Sequence, residues 1–131
     1  MEPLLTQLTR YRPYNQQEER DLALILRLLR TDPTLFSREN DAYHMTASAW
    51  VVSPDRTRVL MAYHNIYHSW SWLGGHADGE EDLLSVALRE VREESGIRSV
   101  RPLLSEPFSV ESLSVDGHEK HGRYVSSHLH L

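Results

Sequence analysis

One stretch without helix breakers, residues 83–95, constrains the fold more than any other part of this chain. Asp82 before it is a favourable helix N-cap, and Gly96 after it is the residue type that most often ends a helix. Apolar side chains recur along the stretch at the spacing of one helical face, at Leu84, Ala87, Leu88 and Val91. The pattern predicts an amphipathic helix of about three to four turns whose apolar stripe is buried.

Three glutamates lie beside that stripe. Glu90 precedes Glu93 by three residues and Glu94 by four, and residues at these spacings are neighbours on a helix surface. Like charges so placed destabilise a helix unless a cation lies among them. Arg89 is one candidate cation, and Mg²⁺ or Mn²⁺ is the other, because oxygen ligands suit these ions. The spacing therefore predicts either a solvated acidic face paired with arginine or a divalent metal site.

The segment around this helix, from Gly75 to Ile97, resembles the Nudix box. That motif is a glycine, five residues, a glutamate, seven residues, and then Arg-Glu-aliphatic-x-Glu-Glu-x-Gly-aliphatic. Every defined position is filled here, by Gly75, Glu81, Arg89, Glu90, Val91, Glu93, Glu94, Gly96 and Ile97. So many restricted positions in a fixed order are far more specific than a short glycine motif.

The resemblance implies an enzyme that hydrolyses a nucleoside diphosphate linked to another group, by attack of water at phosphorus. It implies that Glu93 and Glu94 are the principal ligands of Mg²⁺, or of Mn²⁺ in its place. Glu90 is a further metal ligand or the general base, and Arg89 orients the glutamates through charge-assisted hydrogen bonds. On this basis the predicted catalytic residues are Arg89, Glu90 and Glu94, and the predicted metal ligands are Glu90, Glu93 and Glu94.

The resemblance also implies supporting roles at the site for the residues before the helix. The main chain at Gly74 and Gly75 completes the metal and phosphate environment, since a backbone without Cβ permits close approach. His76 follows the glycines directly and is a further candidate for phosphate contact. Glu81 either contacts the metal indirectly or fixes the loop.

Several alternatives remain open. In some members of the family the general base lies on a later loop, which makes Glu111 and Glu119 candidates. A regulatory module that binds a nucleotide without hydrolysing it would share the fold, as would an inactive truncated fragment. Isopentenyl-diphosphate isomerase also shares the fold, but its catalytic cysteine has no counterpart in this chain, which contains no cysteine.

The pattern of the rest of the chain predicts an α/β (α+β) fold, a Nudix-type α/β/α sandwich with a mixed sheet. Residues 1–42 form an N-terminal helical extension, in which a capping box at residues 15–18 begins a helix to about residue 30. Residues 43–131 form the Nudix domain. Its predicted strands are residues 44–53, 58–64, 70–73, 97–104, 108–115 and the start of one from 128. Residues 116–127 are predicted as a polar loop. The resemblance implies a further strand and helix after Leu131, so we expect the domain to be incomplete at its C-terminus.

The composition of the chain limits the classes of partner that we expect. The formal net charge is −5 and the chain has no long basic run, which argues against a nucleic-acid partner. Its apolar stretches are short, so we expect neither a signal peptide nor a membrane span, and the lack of cysteine suits the reducing cytoplasm. We expect a nucleotide-diphosphate substrate and a cytoplasmic location, and a homodimer is a further option because relatives are often dimeric.

Histidine and aromatic residues leave two further questions. His128 and His130 lie two residues apart on a predicted strand, so they share a face and are either metal or phosphate ligands or ordinary strand residues. A group of aromatic side chains is available either to stack on a nucleotide base or to fill the core. This group comprises Trp50, Tyr63, Trp70 and Trp72.

Overall fold

The computed structural model describes residues 1–120, 122–125 and 127–131. Within this part of the chain the helices are α1 (Glu2–Arg10), α2 (Gln16–Thr31) and α3 (Leu83–Ser95). The strands before α3 are β1 (Tyr43–His44), β2 (Thr46–Ala49), β3 (Val51–Val52), β4 (Val59–Leu60), β5 (Ala62–His64), β6 (Ser69–Ser71) and β7 (Leu73–His76). Those after α3 are β8 (Leu113–Val115), β9 (His118–Lys120), β10 (Arg123–Val125) and β11 (His128–His130). None of the helices in the described residues is both long and apolar enough to cross a membrane.

The extended segment made of β1 and β2 lies between two neighbours. On one side β2 pairs antiparallel with β7, so that Thr46 lies opposite His76. On the other side β1 pairs parallel with β11, and β8 pairs antiparallel with β11. Backbone hydrogen bonds from Thr46 N to Leu131 O (2.8 Å) and from Leu131 N to His44 O (3.2 Å) extend this pairing beyond the strand ends. The sheet is therefore mixed, and the predicted α+β architecture is confirmed.

Antiparallel hairpins make up the remaining strand pairs. β3 pairs with β4 across a turn at residues 53–56, where Arg56 has a left-handed backbone (φ 59°). β5 pairs with β6, and β9 pairs with β10. The long strands predicted at residues 44–53 and 58–64 are divided into shorter ones.

The second helix begins as its sequence predicts. The Asn15 side chain accepts a hydrogen bond from Glu18 N (2.8 Å), which satisfies one of the free N–H groups at the helix start. The Glu18 carboxylate is buried. It accepts hydrogen bonds from Tyr14 N (2.9 Å), Val110 N (3.2 Å) and the Tyr11 hydroxyl. Glu18 therefore ties α2 to the segment that precedes β8.

One hydrophobic core joins the N-terminal helices to the sheet and to α3. Leu35 and Phe36 are buried there with Met45 and Val86. The other buried members are Leu4, Leu8, Leu22, Ile25, Leu28, Leu29, Ala77 and Leu131. Removing this much apolar surface from water supplies most of the free energy of folding. The division into an N-terminal extension and a domain stays a prediction.

The structure differs from the predictions at further points. Helix α1 had no predicted counterpart. The strand predicted at residues 97–104 is wrong, because residues 96–112 form no regular helix or strand, and the one predicted at 108–115 is reduced to β8. Pro102 and Pro107 lack the N–H that a strand ladder needs. Side-chain contacts hold this segment instead, from the Tyr11 hydroxyl to Phe108 O (3.0 Å) and from Ser112 N to Asp21 (3.1 Å).

The polar loop predicted at 116–127 contains β9 and β10, and its positions 121 and 126 lie outside the described residues.

Candidate functional site

The connection from β7 into α3 positions the predicted site. Asp82 caps the helix, accepting hydrogen bonds from Ser85 N (3.3 Å) and from the Ser85 hydroxyl (2.7 Å). Gly96 ends it in the left-handed conformation, with φ 74°. Both predicted helix ends are therefore confirmed. The predicted buried stripe is partly wrong, because Leu84 is exposed and the fully buried residues are Val86 and Val91. The helix packs against β2 and β7 through this shifted face.

Two glycines of β7 lie directly against the glutamates of α3. A Cβ atom added to Gly75 would lie 2.6 Å from Glu90 Cδ, a distance that real Cβ atoms do not show. The Gly74 N–H donates a hydrogen bond to Glu94 Oε1 (3.0 Å). The missing side chain at Gly75 therefore allows the Glu90 carboxylate to come this close to the strand, and Glu94 is held by the main-chain N–H of Gly74.

Arg89 lies at the centre of the same group. Its guanidinium donates hydrogen bonds to His76 O (3.1 Å) and to Glu90 Oε1 (3.4 Å). The Glu90 side chain is mostly buried, with 18% of its surface exposed, whereas Arg89 is more open. Arg89 therefore links Glu90 to the end of β7, and its predicted role in catalysis stays a prediction.

The charge balance around Glu94 favours a bound cation. Partial burial raises the pKa of the Glu94 carboxyl, and the negative charges of Glu90 and Glu93 raise it further, against the Gly74 N–H and His64. Glu93 itself is exposed. Arg89 is the positively charged side chain that hydrogen-bonds to this group. Because the donors are oxygen atoms with excess negative charge, the group fits Mg²⁺ or Mn²⁺.

The loop between β7 and α3 is fastened to the N-terminal part of the chain. Arg38 and Asp78 form a bidentate ion pair with distances of 2.6 and 2.7 Å, and Gly79 N donates to Phe36 O (2.8 Å). Glu81 pairs with the N-terminal ammonium group of Met1. Glu81 thus links the loop to the N-terminus, and its role at the site stays a prediction. No spacing signal in the sequence pointed to Arg38.

The candidates for a base on a later loop lie elsewhere. Burial raises the pKa of the Glu111 carboxyl, and the charges that raise it further belong to Asp21 and Glu18 of α2. Glu119 is exposed on β9. Glu111 therefore lies near acidic residues of α2, whereas Glu90 contacts Gly75 and Arg89 of the predicted site.

Four histidines form a second cluster. His44, His76, His128 and His130 each offer one ring nitrogen, and these atoms all lie within 4.8 Å of one another. His44 and His128 are buried. Burial lowers the pKa of His44 and lowers that of His130 to about 3, so both imidazoles are neutral near pH 7. The shared face predicted for His128 and His130 is confirmed, whereas His44 was missed because nothing local in the sequence connects it with them.

The aromatic side chains lie mostly on the surface. Trp70 is 67% exposed, and its ring contacts that of Tyr63 edge to face with a centroid distance of 5.5 Å. Trp50 is also exposed and lies near Trp72. The interpretation of these residues as core is therefore wrong for Trp50, Tyr63 and Trp70, which leaves their rings accessible for stacking.

Comparison with known proteins gives one positive result. A family model described as the NUDIX domain matches residues 42–129. A comparison with curated proteins found no match. The matched region covers about two thirds of the chain, and it contains β7, α3 and all the box residues from Gly75 to Ile97. The chain therefore belongs to the Nudix family.

Proposed function

We propose that this protein is a metal-dependent hydrolase that cleaves the diphosphate bond of a nucleoside diphosphate linked to another group. The observation that carries the proposal is the contact of the Glu90 and Glu94 carboxylates with the glycines of β7. Family membership supports hydrolysis of a diphosphate bond. The geometry supports the proposal further, because Arg89 hydrogen-bonds to Glu90 while Glu90 and Glu94 lie against the glycines of β7.

Glu90, Glu93 and Glu94 would hold Mg²⁺, or Mn²⁺ in its place. The metal supplies charge compensation for the diphosphate and lowers the pKa of a bound water. The chain's own residues supply the rest. Arg89 holds Glu90 at the end of β7, and the Gly74 N–H holds Glu94. Glu90 is accordingly our candidate for the general base.

The substrate is, in this proposal, a small nucleotide derivative rather than a nucleic acid. The net charge of −5 and the lack of a long basic run in the sequence support this choice, because nucleic-acid affinity depends on clustered lysine and arginine. The lack of cysteine supports a cytoplasmic location. A homodimer remains compatible with these features.

The deciding experiment measures phosphate and nucleotide release from dinucleoside polyphosphates, nucleoside triphosphates and nucleotide sugars in the presence of Mg²⁺. Three proteins are compared, namely the wild type, Glu94→Gln and Glu19→Gln. Glu19 is an exposed glutamate on α2, so its variant controls for the loss of one surface charge. We expect metal-dependent release by the wild type and by Glu19→Gln, and a loss of at least about 100-fold in Glu94→Gln.

Two outcomes would contradict the proposal. Equal release by the wild type and Glu94→Gln would show that the carboxylate cluster does not catalyse the reaction. If no substrate in the panel is hydrolysed by the wild type, while equilibrium dialysis shows that a nucleotide binds, the protein is a binding module instead.

A further inference from the structure

We propose that His44, His76, His128 and His130 form a second metal site, which binds Zn²⁺ or a similar borderline cation through four imidazole nitrogens. The four residues come from three strands, β1, β7 and β11. One ring nitrogen of each lies within 4.8 Å of the others. Four nitrogen donors converging on one point form a ligand set that suits zinc, copper or nickel. This inference is independent of the proposed hydrolase activity.

His44 shows the geometry expected of a metal ligand. Its Nδ1 lies 3.1 Å from the backbone oxygen of Asn40, to which it donates a hydrogen bond in the neutral imidazole. That bond fixes the tautomer and leaves Nε2 with a lone pair. Nε2 is buried and has no hydrogen-bond partner among the described residues. Histidines that bind metals almost always donate their other ring N–H to such a carbonyl or carboxylate oxygen.

The cluster differs from the carboxylate group in the metal it would select. It contains no carboxylate, so the site has no charge to offset the charge of a hard cation such as Mg²⁺. Neutral imidazoles favour zinc because nitrogen ligands suit borderline cations. Four protein ligands fill the tetrahedral coordination of zinc, which is typical of structural rather than catalytic sites.

Metal binding requires the rings to move closer. Zinc–nitrogen bonds of about 2.0–2.1 Å place tetrahedral ligands about 3.4 Å apart. The widest nitrogen pair is at 4.8 Å, so the rings must contract around the ion. His76 and His130 are only half-buried, which gives them room to turn and gives the cation a route from solvent. Binding would then link β1 to both β7 and β11.

The two sites are separated by the alternation of side chains along β7. Gly75 faces Glu90 on α3, so the next side chain, His76, points to the opposite face of the sheet. Thr46, paired with His76, is two residues from His44, which places His44 on that same face. A variant in one cluster therefore need not remove ligands from the other.

The competing explanation is that the four rings pack against one another as neutral aromatic groups. Their centroid separations of 4.6–5.4 Å are compatible with such packing. The experiment must therefore detect a metal directly instead of testing only whether the histidines stabilise the fold.

The test titrates metal-free protein with Co²⁺ in the presence of excess Mg²⁺, which occupies oxygen-ligand sites. Tetrahedral nitrogen coordination gives Co²⁺ intense visible absorption, and Zn²⁺ added afterwards should abolish that absorption by displacement. We expect one Co²⁺ per chain in the wild type. In His130→Gln we expect affinity to fall by at least about 100-fold, since even the loss of an outer partner of a ligand costs roughly 10–100-fold.

Two controls make the result specific. His68→Gln removes an exposed histidine outside the cluster and should leave the Co²⁺ spectrum unchanged. His44→Gln gives a second ligand variant should His130→Gln fail to fold. The proposal is overturned if the wild type shows no tetrahedral Co²⁺ spectrum. It is equally overturned if a folded His130→Gln or His44→Gln binds as tightly as the wild type.

Discussion

The carboxylate cluster on α3 and the histidine cluster across the sheet lie on opposite faces of β7, and they are assembled in different ways. Glu90, Glu93 and Glu94 come together because of helical spacing alone. The four histidines of the second cluster come together only when β1 pairs with β11 and β2 pairs with β7. The first cluster therefore follows from one helix, whereas the second requires the complete sheet.

The two clusters also differ in charge. Partial burial and, after it, the negative charges of Glu90 and Glu93 raise the pKa of Glu94, so a hard cation would relieve the repulsion between these carboxylates. Burial keeps the imidazoles of His44 and His130 neutral, so these rings need no counter-charge. A single strand can thus separate a metal site with oxygen ligands from one with nitrogen ligands, because its side chains alternate between the two faces of the sheet.

The largest effect should come from Glu90→Gln, which tests whether the two clusters are independent. This change removes a carboxylate that Arg89 holds against Gly75, and we expect kcat/KM for diphosphate hydrolysis to fall by at least about 100-fold. The Co²⁺ spectrum assigned to the histidines should persist. Steady-state kinetics and Co²⁺ titration of the same preparation check both parts. A loss of the Co²⁺ spectrum would show that the clusters form one site.

Gly75→Ala should have the next largest effect. Its Cβ would overlap the end of the Glu90 side chain, which is flexible and can turn away, so the fold should survive while the carboxylate is displaced. Because displacement of a catalytic group by about 1 Å can cost 100-fold, we expect a loss of roughly 10- to 100-fold in kcat/KM. The measurement pairs kinetics with thermal unfolding.

Gly74→Ala is the matched contrast for that variant. A Cβ at this position would lie 2.6 Å from the backbone oxygen of Ala47, which cannot turn away as a side chain can. We therefore expect Gly74→Ala to lower the unfolding temperature more than Gly75→Ala does. Equal destabilisation of the two variants would contradict the assignment of Gly75 to the site.

The difference between the clusters also explains how much of the molecule the sequence predicts. Helix α3 was predictable because its cap, its stop and its carboxylates are all local signals, confirmed at Asp82 and Gly96. The same holds for the cap of α2 at Asn15. His44, in contrast, joins His128 and His130 through strand pairing, and no sequence spacing between them encodes that register.

Errors occurred where a local preference was overruled by its surroundings. Leu103 and Leu104 favour a strand, yet they are exposed in an irregular segment that the neighbouring prolines interrupt. The apolar stripe of α3 was misplaced because Leu84 faces solvent, whereas Val86 packs into the core. Which side of a helix is covered depends on its tertiary neighbours, and the 3.6-residue period alone cannot identify them.

Glu18→Gln tests a carboxylate whose charge is stabilised by hydrogen bonds within the protein. The glutamates of α3, in contrast, are those that we propose to bind a metal. Burial opposes the charge of Glu18, but hydrogen bonds from Tyr11, Tyr14 N and Val110 N outweigh it and lower the pKa. We expect Glu18→Gln to lower the free energy of unfolding at pH 7 by about 1–3 kcal/mol. Urea denaturation at several pH values measures this change in the free energy of unfolding.

The sign of the pH dependence follows from linkage. A carboxylate whose pKa is lower in the folded state contributes stability above the pKa of the unfolded chain, ordinarily 4.5 for a glutamate, and loses it as the pH falls below that value. The difference in stability between wild type and Glu18→Gln should therefore shrink as the pH falls from about 5 to 3. A difference that stays constant over this range would contradict the ionised state of Glu18.

The smallest effect should come from Gly96→Ala, which strains the end of α3 without touching either cluster. Gly96 has a left-handed backbone (φ 74°), and no other atom lies near the position of an added Cβ, so the cost is conformational. We expect a loss of about 1 kcal/mol in the free energy of unfolding, at the lower end of the cost of a left-handed residue with a side chain. Glu94, two residues earlier, is fixed by the Gly74 N–H, so kcat/KM should change little. If hydrolysis falls as much as in Gly75→Ala while Co²⁺ binding is kept, the carboxylate cluster depends on the helix end as well as on β7, whereas the histidine cluster does not depend on the helix end.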